Sequence, residues 1–64
     1  MTHAMTQRQE ETYMRLRGAG YEYCQTQDNG DVVAGKYERT FETSRLLYAI
    51  TITPNGEYTE INLG

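Results

Sequence analysis

The chain has one cysteine, Cys24, and one histidine, His3. No disulfide can form within it, no Cys/His cluster is present to bind zinc, and the one histidine that could serve a cysteine nucleophile as base falls in the N-terminal tail. The cysteine usage fits a reducing, cytoplasmic setting. No apolar run approaches the roughly 20 residues of a membrane span, and the N-terminus lacks the apolar stretch of a secretory signal, so no membrane association is expected. Positive charge is also scarce. Six basic residues against nine acidic give a net charge of −3, the wrong sign for holding phosphates, which makes direct nucleic-acid binding unlikely and a basic protein surface the better partner. At 64 residues a single core is only marginally stable, so a second subunit or partner is a source of further burial.

Residues 1–5 read as a flexible tail and residues 6–64 as a single α+β domain; Met5 is a second candidate start. Thr6 with Gln9 three residues later fits a capping box, in which the hydroxyl and the amide satisfy orphan NH groups of a first helical turn. Residues 7–17 are rich in helix formers, with Glu10 and Glu11 early and Arg15 and Arg17 late, as the helix dipole favours. Gly18 and Gly20 end the segment. Thr12, Tyr13, Leu16 and Ala19, with Met14 beside them, make a narrow stripe that can bury one face.

From Tyr21 onward the apolar period is two. Asn-Gly pairs at Asn29/Gly30 and Asn55/Gly56 predict hairpins with two-residue type I′ loops, which need positive φ at both positions. A third two-residue loop is placed at Thr43/Ser44. The resulting fold is α+β: one N-terminal helix packed on a four-stranded antiparallel β-meander, order 1-2-3-4. In this register Cys24 faces Gly35, Tyr37 faces Ile50, and Ile50 faces Ile61. The core face then holds Cys24, Thr26, Val33, Gly35, Tyr37, Phe41, Leu46, Tyr48, Ile50, Ile52, Thr59, Ile61 and Leu63, with Glu22 and Arg39 at its rim and Gly35 giving the helix room. Tyr21, Tyr23, Ala34, Lys36, Glu38, Tyr58 and Glu60 face water.

No catalytic constellation follows from this placement, and no metal or cofactor is expected. Cys24 reads as a small buried hydrophobe. Glu38 and Glu60 are separated by a strand, about 10 Å or more, too far for paired acid–base work. Arg39, opposite Tyr48, reads as covering the core edge with its stem. The tyrosines carry the functional signal: six tyrosines stand beside one phenylalanine and no tryptophan, and tyrosine gives large contact area at low entropic cost. Tyr21, Tyr23 and Lys36, with Tyr58 and Glu60, form the candidate binding patch. An aromatic sheet face also suits base stacking, but Lys36 is its only cation.

The segment Asp31, Val32, Val33, Ala34, Gly35 resembles the Gln-Val-Val-Ala-Gly hairpin of the cystatins, cysteine-protease inhibitors in which a sheet wraps a helix. The resemblance covers five residues, has Asp31 in place of Gln, and lacks the tryptophan-bearing second hairpin; it implies protease inhibition. The fuller expectation is a small, acidic, non-enzymatic protein-binding module, an inhibitor or accessory protein of the phage and mobile-element type that includes anti-CRISPR proteins. The alternative is a structural dimerisation module, with a homodimer through strand 4, whose outer edge has nothing downstream to cover it.

Overall fold

The structure is a computed structural model and describes residues 4–63. Helix α1 spans Gln7–Gly18, followed by β1 (Glu22–Thr26), β2 (Val32–Arg39), β3 (Ser44–Ile52) and β4 (Tyr58–Asn62). The strands form one antiparallel sheet in the order β1-β2-β3-β4, so the α+β meander read from the sequence is the fold.

Helix α1 begins at the capping box. The Thr6 hydroxyl accepts from the Gln9 amide at 3.1 Å and the Gln9 side chain accepts from the Thr6 amide at 3.0 Å. At its other end Tyr21 N–H bonds to Leu16 C=O and Gly20 N–H to Arg17 C=O, with Gly20 at φ 104°. This is the Schellman arrangement, which places Tyr21 and Leu16 side by side at the start of the core. The inward stripe is Gln9, Thr12, Tyr13 and Leu16; Ala19 and Met14 are exposed. Met5 packs against the core and so belongs to the fold rather than to a tail, while the rest of that segment up to His3 lies outside the described residues.

The two Asn-Gly loops are each one residue longer than expected and the central loop lies two positions earlier, with large consequences. No residue other than glycine has positive φ among those described; Gly30 and Gly56 have φ of 92° and 87°. Gln27 N–H bonds to Asp31 C=O and Gly30 N–H to Gln27 C=O, and Thr53, Glu57 and Gly56 repeat the pattern. Each loop therefore has three residues: a type I turn closed by a left-handed glycine, with Asn29 and Asn55 in ordinary backbone. Pro54 supplies the fixed φ that the first turn position prefers. The central loop is Phe41/Glu42, not Thr43/Ser44: Thr40 N–H bonds to Thr43 C=O, and Thr43 N–H to the Thr40 hydroxyl.

Because side chains alternate, a one-residue shift moves a strand's whole apolar set to the other face. Ile50 pairs with Glu60 rather than Ile61, and Ile52 with Tyr58. Further shifts occur between Tyr23 and Gln25 and between Lys36 and Tyr37. The helix thus covers the face of Val32, Ala34, Ile50 and Ile52, all fully buried, with Tyr21. Tyr48, Ile50 and Ile52 are on the expected side. Val33, Gly35, Tyr37, Leu46, Thr59, Ile61 and Leu63 are not: they belong to the opposite, helix-free face. Gly35 makes room on that face for Leu46, Cys24 and Tyr37, whose atoms lie 2.7, 3.2 and 3.3 Å from where its Cβ would stand, and not for the helix.

Gln9 ties the layers together. Its amide donates to Gly30 C=O at 2.8 Å and Ile52 C=O at 3.1 Å, while Thr6 and Thr12 hydroxyls donate to Pro54 and Gly56 C=O. The helix is thus anchored to both glycine-closed loops.

Candidate functional site

The five residues of the sequence-derived patch do share one face, but it is the face that bears the helix. Tyr21 is 6% exposed. Its ring crosses the sheet, its hydroxyl donating to Glu60 Oε2 at 2.7 Å, and the Lys36 ammonium lies 5.9 Å from the ring centroid. The Glu60 carboxylate, with burial second, pushes the Tyr21 phenol up to about 12. Tyr21, Lys36 and Glu60 therefore form a brace between β1 and β4. Tyr23 meets Tyr13 of the helix edge-on, with centroids 6.5 Å apart, and bonds to the Thr26 hydroxyl. Tyr58 is exposed. Beside the brace, Tyr13, Arg17, Gly20, Tyr21, Glu22 and Tyr23 line an open cleft of about 520 Å³.

A second feature arises from strand length. Pairing with β1 ends at Gly35 and pairing with β4 at Tyr48, extended by Leu63 N–H to Leu47 C=O. Beyond these points β2 and β3 pair only with each other and form an arm. Side chains pair along it. Arg39 makes a two-pronged ion pair with Glu22, the second contact at 3.2 Å, and stacks over the Tyr37 ring at 4.9 Å. Arg45 pairs with Glu38 at 3.2 Å on the other side. The Arg39 guanidinium holds the Glu22 carboxyl below its ordinary value. Arg39 sits opposite Ser44, not Tyr48. At the tip the Thr40 and Thr43 hydroxyls bond at 2.8 Å, and Phe41 projects fully into solvent.

Cys24 is exposed on the helix-free face, not buried. Its sulfur lies 3.4 Å from the Tyr37 hydroxyl and 3.9 Å from Glu22 C=O. The Tyr37 phenol is raised above its ordinary value, first by that contact. No group of three or more His, Cys, Asp or Glu side chains suited to a metal occurs among the described residues, and no helix is long and apolar enough to cross a membrane.

Phe41 and Cys24 escaped the sequence reading because the expected central loop, Thr43/Ser44, is two positions late and the expected Asn29/Gly30 loop one residue short, which places both in the core. The signals were present: Pro54 ahead of Asn55-Gly56 marks a type I turn, and Thr40 and Thr43 flank Phe41/Glu42 with hydroxyls able to close a turn. In the cystatin-like segment Asp31 closes the β1–β2 loop while Val32 to Gly35 lie in strand β2, with Val32 and Ala34 fully buried, so these four do not form a hairpin tip. Comparison with known protein families, with curated proteins and with solved structures finds no match to this chain.

Proposed function

We propose that this chain is a small non-enzymatic protein-binding module that acts by placing the β2–β3 arm in a recess of a partner protein. The observation that carries this reading is Phe41, a fully exposed aromatic ring at the tip of a side-chain-braced hairpin. Aromatic anchors that fill a partner's pocket dominate interface energetics, and an arm already held in shape loses little entropy on docking. That mode of action suits an inhibitor or accessory protein of the phage and mobile-element kind, anti-CRISPR proteins included, which occludes a working site by direct binding. The strand charges of the arm, Glu38, Arg39 and Arg45, are paired within the chain, which leaves Glu42 beside Phe41 as the charge at the tip and favours a recess of mixed character.

The test is site-specific photo-crosslinking in host lysate, with a benzophenone side chain at position 41 and, as control, at the exposed helix position Met14. A discrete adduct from position 41 that Met14 does not give, competed away by unlabelled chain but not by Phe41→Ala, is the expected result. Identical adducts from both positions would overturn the reading.

A further inference from the structure

We infer that the helix-free face of the sheet is a self-association surface, packing against the same face of a second copy about a two-fold axis. Alternation along each strand collects Val33, Leu46, Ala49, Ile61 and Leu63 on this face, with Cys24 beside them. Ile61 and Leu63 are 52% and 56% exposed. The helix lies on the other side, and nothing among the described residues covers this one. Gln25, Thr51 and Thr59 border Val33 on the same face, so the apolar surface is centred on Leu46, Ala49, Ile61 and Leu63, and an exposed apolar group of this kind marks an association site.

Charge selects the occupant. The charged residues at strand positions of this face are Glu22 and Arg39, and they neutralise each other. The face is therefore neutral in a chain of net charge −3, so two acidic molecules meet there without repulsion, whereas nucleic acid or a basic protein finds no unpaired charge to hold. At about 3.3 Å per residue and about 4.8 Å between strands, the face offers about 430 Å² of flat sheet per copy, about 860 Å² for a pair before side-chain relief, close to the roughly 1,000 Å² at which specific interfaces begin. Among the described residues the fully enclosed apolar core is Tyr21, Val32, Ala34, Ile50 and Ile52, and a chain this small gains proportionately from a second layer. Two such sheets stack about 10 Å apart with strands within about 30° of alignment. Ala49 is the low point between Leu46 and Ile61, and in an isologous pair each copy presents this relief to the other.

The experiment is light scattering over a range of concentrations on the wild-type chain, Ile61→Asp, Val33→Asp and Tyr58→Pro, each checked for fold by circular dichroism. The wild type should show twice the mass of one chain, with a dissociation constant insensitive to salt. Ile61→Asp and Val33→Asp should raise that constant at least about tenfold while remaining folded, because a charge at the seam must be buried without a partner. Tyr58→Pro, which removes an outward N–H of the β4 edge, should stay dimeric. Cys24 labelling by a soluble disulfide reagent should slow as the dimer fraction rises. A monomer at every concentration, labelling independent of concentration, or a dimer lost with Tyr58→Pro but retained with both aspartates would overturn the inference, the last by showing that edge pairing through β4 joins the copies. The crosslink at Phe41 is read separately, so failure of one reading does not decide the other.

Discussion

Gln9 shows how much one side chain can decide. It is 1% exposed, and its oxygen and nitrogen serve different elements: the oxygen caps the helix, while the amide N–H groups serve the carbonyls of Gly30 and Ile52. Gln9→Ala should cost about 1–3 kcal/mol in urea unfolding, the penalty for orphaning buried polar groups. Gln9→Glu keeps the capping oxygen but sets a carboxylate against two carbonyl oxygens, so it should be worse than alanine at neutral pH. The new carboxyl would have a raised folded-state pKa; part of the loss should return as the pH falls and the acid regains a donor. Tyr21 gives a test at the opposite end of the scale. Its phenol ionises near 10 when free and near 12 in the fold. The folded value is the higher one, so the stabilisation is complete below pH 10 and is lost as pH rises toward 12. Alkaline unfolding should begin in that window, and Tyr21→Phe should flatten it, leaving a smaller slope from Tyr37.

The hairpins decide the outcome at the scale of elements. Gly30 and Gly56 occupy equivalent positions with similar positive φ, so an alanine at either should cost about 1–2 kcal/mol from backbone strain alone. Their surroundings differ. A Cβ on Gly56 would stand 3.0 Å from Arg8 C=O oxygen and 3.1 Å from Arg8 Cβ, whereas one on Gly30 meets only Pro54 Cγ at an ordinary 3.5 Å. Gly56→Ala should therefore be the more destabilising in thermal melts, and equal effects would mean that the helix does not sit against that loop. The helix, its capping box, the strand order and the location of two of the three turns were legible because each rests on a local signal. The faces were not. They depend on whether Asn-Gly closes a two- or three-residue loop and on two shifts of register within the sheet, and neither Cys24 nor Leu47 carries a mark that distinguishes a bulged residue from a paired one. The tyrosine patch failed for the same reason: its residues share a face, as read, but the face is the covered one.

For the whole molecule, the claim that joins fold and function is which side of the sheet the helix covers, since this makes the Ile61 face available and Tyr21 unavailable. Neighbouring positions on β2 report it by stability. Val32→Asp puts a charge where exposure is zero and should unfold the chain, whereas Val33→Asp, on the helix-free face, should leave a folded protein. Ile50→Ala should cost about 2–5 kcal/mol, a large share of the stability of so small a core, and Thr51→Ala far less. The most direct measurement is the set of cross-strand Hα–Hα nuclear Overhauser contacts between β3 and β4, which depends on register alone. The account predicts cross-peaks between Ile50 and Glu60 and between Ile52 and Tyr58. A cross-peak from Ile50 to Ile61 in their place would put the apolar residues of β4 under the helix and contradict it.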